Sequence, residues 1–178
     1  MSAHLNFAVA NMCWSNAATH ALLNSNPISH LLLIQELWFD TIGTAHTDQA
    51  REGVDVLGGA ASPGWDLYHP TNNTTCRLKV MAYSQKCDWV DGATPSCFTI
   101  SPCQDLCAHP CVQVLDLATG PEIWHIVNFY HNVWDATSLE ALLALGLDPL
   151  IPTLVTGDFN THSRLWSPPS ITPSLWAG

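Results

Sequence analysis

Leu5, Phe7 and Val9 alternate with small or polar residues between His4 and Ala10, the period of a half-buried strand, and this strand ends at Asn11. The period then changes. Ser15 or Asn16 can cap a helix that runs through Asn24 with Ala18, Leu22 and Leu23 on its buried face, until Asn26-Pro27 breaks it. Leu31 to Ile34 is an unbroken apolar run, as expected of a strand covered on both faces. Strand, helix, strand in this order predicts parallel pairing through a crossover.

The middle third carries a weaker pattern. Gly53 to Ala60, Trp65 to Tyr68, Arg77 to Tyr83 and Phe98 to Ile100 read as short strands divided by Gly, Pro and Asn turns. Cys111 to Leu117 and Glu122 to Tyr130 read as a hairpin joined at Ala118-Thr119-Gly120-Pro121. Thr137-Ser138-Leu139-Glu140 fits a capping box, with Leu139, Leu142 and Leu143 as the apolar face and Gly146 as the stop. Thr153 to Thr156 is the last strand, and the proline-bearing stretch after Trp166 fits no regular element.

Composition narrows the class. At 178 residues, 47% hydrophobic and 11% charged, the chain fits one globular domain whose surface is poor in ion pairs. Five Lys and Arg against fifteen Asp and Glu give a net charge of -10, which opposes nucleic-acid binding unless cations cluster or a metal reverses the local field. Only Arg77 to Lys86 resembles a basic patch. No apolar run is long enough for a membrane span and the start lacks a basic signal region, so an intracellular chain is expected, with the nucleus open to it. The sequons at Asn72 and Asn73 then read as a polar turn. Seven cysteines would stay reduced inside a cell. Cys97, Cys103, Cys107 and Cys111 could supply a zinc site, but they lack paired C-x2-C knuckles and Cys111 opens a strand. Unpaired thiols are the preferred reading.

Chemistry gathers at strand ends. Asn11, Glu36, Tyr130 and the Asp158/Asn160 pair each follow an apolar run, and the loops beyond strand carboxyl ends are where layered α/β folds bind ligands. Taken singly, Asn11 and Asn160 read as turn residues and Tyr130 as a sheet-edge aromatic. Their joint placement carries the argument.

Asn11, Ile34-Gln35-Glu36, Val127-Asn128-Phe129-Tyr130 and Thr156-Gly157-Asp158-Phe159-Asn160 resemble the ordered motifs of the endonuclease/exonuclease/phosphatase superfamily. Within it, His20-Ala21-Leu22-Leu23-Asn24, Gln35-Glu36-Leu37-Trp38 and Gly157 to Trp166 are most similar to the endonuclease domain of LINE-type, non-LTR retrotransposons, fungal ones especially. The resemblance implies a two-sheet α/β sandwich over residues 1–166, lacking its last strands, followed by an irregular tail at 167–178. It implies Mg²⁺-dependent phosphodiester hydrolysis in DNA, with Mn²⁺ as a substitute. Glu36 would bind the metal with Asn11 beside it, Asp158 would orient or deprotonate water, Asn160 would hold a phosphate oxygen, and Tyr130 would donate to the phosphate or lie near the leaving group.

The chain departs from that pattern in two ways. A terminal Asp-His pair is expected near the end of such domains and none is present, and His162 reads as a loop residue rather than its replacement. Loss of a general base costs on the order of 10² to 10⁴ in rate, so an impaired enzyme is expected. Trp14 and His46 also stand where related sequences are expected to carry cations. The alternatives are a phosphoesterase acting on another substrate and a degenerate, non-catalytic retroelement fragment.

Overall fold

The structure is a computed structural model and describes residues 5–25, 28–47, 50–69, 78–86, 98–103, 106, 109–135 and 137–160. The expected tail, His162, the sequon turn, Cys97 and Cys107 lie outside them. Strands β1 (Phe7–Asn11) and β2 (Leu31–Gln35) pair in parallel across helix α1 (Asn16–Asn24). Strands β3 (Phe39–Thr47) and β4 (Ala50–Gly59) form a separate antiparallel hairpin. Next come β5 (Trp65–Tyr68) and β6 (Val80–Gln85), which complete a four-stranded sheet in the order β1-β2-β6-β5.

The second sheet has a matching plan. Strands β7 (Phe98–Pro102), β8 (Val112–Thr119) and β9 (Glu122–Tyr130) run antiparallel, helix α2 (Thr137–Leu143) crosses over, and β10 (Thr153–Asp158) returns parallel to β9. The order is β10-β9-β8-β7. The β8–β9 loop is Gly120-Pro121, and Gly120 has φ +59°. Proline cannot take positive φ, so only a turn needing it at the first loop position fits, and glycine stands there.

Alternation along the strands sorts the core into layers. Leu31 and Leu33 of β2 meet Leu115, Leu117 and Ile126 between the sheets, whereas Leu32 and Ile34 pack with Leu23 under α1. On the far side Val112, Val114, Val127 and Phe129 lie beneath Ala141 and Leu142 of α2. The arrangement is therefore helix, sheet, sheet, helix. Phe7 and Val9 on β1, and Leu154 and Val155 on β10, stay exposed because both strands are sheet edges.

Several expectations change. In α1, Ser15 is the cap, accepting from the Ala18 amide, and Thr19 rather than Ala18 joins Leu23 in the buried face. In α2, the inward face is Ser138, Ala141 and Leu142, followed by Leu145 just beyond the helix, while Leu139 and Leu143 are 43% and 79% exposed. The reason lies in the cap. Asp135 Oδ1 accepts both the Thr137 amide and the Thr137 hydroxyl, so Thr137 is already inside the helix and the buried stripe shifts accordingly. Strand β3 had no counterpart in the sequence reading, because Gly43 and a register shift interrupt its alternation.

Candidate functional site

Beneath the carboxyl ends of β2 and β9 the two sheets are joined by side-chain amides. Gln35 is inward-facing and 1% exposed, Asn128 is fully buried, and Gln35 Nε2 donates to Asn128 Oδ1 at 2.6 Å. Asn128 Nδ2 donates in turn to the carbonyls of Ile34 and Met81 at 3.3 and 3.1 Å. Polar groups at this depth cost free energy unless bonded; Gln35 Nε2 also donates to Leu33 O of its own strand at 3.2 Å, and the three bonds of Asn128 cross from one sheet to the other. The spacing of the sheets is thereby fixed directly below Glu36 and Tyr130.

Strand alternation would send Glu36 after Leu32 and Ile34 onto the face under α1. Instead Glu36 takes φ +45°, the left-handed region, and its Oε1 accepts the Tyr130 hydroxyl at 2.5 Å on the inner side. Such a conformation in a non-glycine residue costs about 1–3 kcal/mol. Backbone bonds hold it: Glu36 N to Lys79 O at 2.9 Å, Trp14 N to Glu36 O at 2.7 Å, and Met12 N to Gln35 O at 2.9 Å. Burial raises the Tyr130 phenol well above its ordinary value, and the bond to Glu36 and the negative charges of Glu36 and Asp158 raise it further. It is a donor at every physiological pH.

Parallel register places Asn11 beside Gln35, and Asp158 beside Tyr130. The gap between the two edge strands is closed by Asn11 Nδ2, which donates to Asp158 Oδ2 at 2.8 Å, while the Cys13 amide fixes Asn11 Oδ1. Asp158 Oδ1 accepts the Asn160 amide at 2.9 Å. Asn160 itself has φ +44° and donates Nδ2 to His131 O. Asn11, Glu36, Tyr130, Asp158 and Asn160 thus share one sheet end. His131 turns away from it, bonded to Ser138 Oγ at 3.1 Å and stacked on Phe129.

Among the described residues no group of three or more His, Cys, Asp or Glu is set to hold a metal ion. The ligand groups present are two carboxylates and two carboxamides, which offer oxygen, and Glu36 Oε2 has no hydrogen-bond partner among the described residues. That set suits Mg²⁺, which needs one or two carboxylates and completes its shell with water and phosphate oxygens. It does not suit zinc. Of the four cysteines considered for zinc, Cys103 and Cys111 are described, and burial pushes the Cys111 thiol up to about 11.

Sequence reasoning missed one member of this region. Lys79 Nζ lies 3.9 Å from the centroid of the Trp14 ring, so a cation does stand beside Trp14, contributed from another strand. Lys86 pairs with Asp66 at 3.7 Å, and His125 Nδ1 is hydrogen-bonded to Asp116 Oδ1 at 2.9 Å. Neither lies at this end of β2. No described helix is long and apolar enough to cross a membrane.

No protein-family model matches the chain, and no curated protein matches it significantly. A solved structure does: the endonuclease domain of TRAS1, a telomere-specific non-LTR retrotransposon, superposes with a TM-score of 0.59 at 15% sequence identity. The match covers 92% of this chain and 62% of that one, so the chain spans less than two thirds of the domain it resembles. The chain has the fold of that domain, the two-sheet α/β architecture of the endonuclease/exonuclease/phosphatase type.

Proposed function

We propose that this chain is a Mg²⁺-dependent phosphodiesterase of the retrotransposon-endonuclease type, acting on DNA. The observation that carries the reading is the convergence of Glu36 and Asp158 from different sheets on one sheet end, through the Glu36–Tyr130 and Asn11–Asp158 hydrogen bonds. The likeness in fold to the TRAS1 endonuclease domain supports it.

Glu36 would hold the metal through its unpartnered oxygen, with Asn11 beside it. When bound, Mg²⁺ supplies positive charge against the phosphate as negative charge builds on it. The remaining work belongs to the protein. Each oxygen of Asp158 accepts one N–H and keeps a lone pair, so the carboxylate is fixed in orientation and can align a water for in-line attack. Asn160 retains its second Nδ2 hydrogen for a phosphate oxygen. Tyr130, held protonated, gives its one hydrogen to Glu36 and so positions that carboxylate, and would lie near the departing oxygen.

The test is nicking of supercoiled plasmid with Mg²⁺ or Mn²⁺, with Glu36→Ala and Asp158→Ala as controls. Both variants are expected to lose nicking while keeping the fold, and nicking that persists in both would remove these roles. The charge of -10 favours a second reading, a smaller phosphoester as substrate. Hydrolysis of soluble or lipid phosphoesters in preference to plasmid would select it. The absence of saturable Mg²⁺ binding by calorimetry would select a non-catalytic fold instead.

A further inference from the structure

We propose that Lys79, seated on the Trp14 ring, is the cation that anchors a substrate phosphate beside Glu36; the assignment rests on the phosphodiesterase reading above. Lys79 immediately precedes β6 and is fixed at both backbone ends, its carbonyl accepting the Glu36 amide at 2.9 Å and its amide donating to Pro110 O at 2.8 Å. Its root is therefore tied to the residue that heads the site. The ammonium lies over Trp14, whose own amide donates to Glu36 O. Cys13 and Trp14 have φ of +47° and +60°, so the turn presenting this ring is held in a conformation that side chains disfavour.

Charge gives the arrangement its meaning. The chain has five cationic side chains in all, and Lys86 is paired with Asp66 at the opposite end of β6. Lys79 has no carboxylate partner among the described residues, although Glu36 is its backbone neighbour. An aromatic face attracts a cation without neutralising it, so the ring fixes the ammonium and leaves its charge and its N–H donors available. A cation held on the ring and left unneutralised, on a residue whose carbonyl accepts the Glu36 amide, matches a phosphodiester, whose anionic oxygens the site's carboxylates would otherwise repel. The cation expected at position 14 is thus supplied by position 79, with Trp14 as its support.

The experiment is binding of a short DNA duplex in EDTA, which prevents cleavage, followed by anisotropy across a salt series. A small phosphodiester, dimethyl phosphate, is followed in parallel by NMR shift perturbation. Lys79→Met is expected to lower duplex affinity and to reduce the slope of log K against log salt by about 0.9, one phosphate contact. Lys79→Arg and Trp14→Phe should restore most of the affinity, and Trp14→Leu should not. An unchanged slope in folded Lys79→Met overturns the inference and leaves the nuclease reading intact. Lys79-dependent binding of dimethyl phosphate without duplex binding keeps the inference and removes DNA as substrate. Binding of neither probe by the unaltered chain overturns the inference, and the nuclease reading is then decided by the nicking assay.

Discussion

Gln35 and Asn128 meet amide to amide at 2.6 Å in the interior between two sheets, one residue before Glu36 and two before Tyr130. Leucine at 128 would leave Gln35 Nε2 only its 3.2 Å bond to Leu33 O and withdraw two donors from sheet carbonyls, costing on the order of 3 kcal/mol. Replacing both partners by leucine removes the two side-chain amides together. The double variant is expected to regain much of that stability in urea unfolding, yet to bind Mg²⁺ more weakly by calorimetry, because apolar packing does not set the register of Glu36 against Tyr130. Additive losses from the two single changes would show that the amides do not act as a pair.

Gly157 and Gly146 separate crowding from backbone strain. A Cβ on Gly157 would stand 1.8 Å from Phe129 O, and its φ is +140°. Gly146 has φ +59° with nothing within 4 Å. Gly146→Ala is therefore expected to cost about 1 kcal/mol, and Gly157→Ala more than ~3 kcal/mol, since β10 must move away from β9. Similar denaturation midpoints for the two variants would contradict the close approach.

His109 predicts a slope in stability on the acid side. Its Nδ1 accepts the Cys111 amide and its Nε2 faces Thr137 Oγ1, which donates to Asp135, so the neutral tautomer with hydrogen on Nε2 satisfies every partner. Burial lowers the imidazole from its ordinary value, while Asp135 acts in the opposite direction. A lowered folded value means that the unfolded chain binds the proton first. Stability is therefore full above about pH 6.5 and declines as pH falls from there through the lowered folded value. Unfolding free energy measured from pH 7.5 to 5 should fall less steeply in His109→Gln than in the parent chain, and parallel curves would refute the assignment.

Cys111 and Cys13 should differ in reactivity. The Cys111 thiol is buried and pushed up to about 11, whereas Cys13 is exposed on the turn before α1. Brief iodoacetamide treatment of the native chain at pH 7.5, read by peptide mass spectrometry, is expected to label Cys13 and leave Cys111 unmodified. Equal labelling would mean that the β8 end opens freely.

The strands nearest the site were legible because their burial is written in local composition. Leu31 to Ile34 is covered on both faces and reads as an unbroken apolar run, and Glu122 to Tyr130 keeps its boundaries because a Gly-Pro turn precedes it. Helix faces were less legible. Leu143 is apolar and exposed while Ser138 is polar and buried, since Ser138 Oγ finds Asp135 O and His131 Nδ1 as partners. Hydrophobicity records what a side chain loses in water, not the partner that compensates it.

By itself the sequence determined the strand-helix-strand order at both ends of the chain, and hence that Asn11, Glu36, Tyr130 and Asp158 would each stand at a strand's carboxyl end. Tertiary structure alone decided that Glu36 turns to the inner face at φ +45°, that Asn128 bonds Gln35 across 93 residues, and that Lys79 lies on Trp14. The division has a physical cause. Periodicity reports the average environment of each position, whereas a hydrogen bond or a cation on a ring depends on the separation of two groups that only the packed sheets bring together.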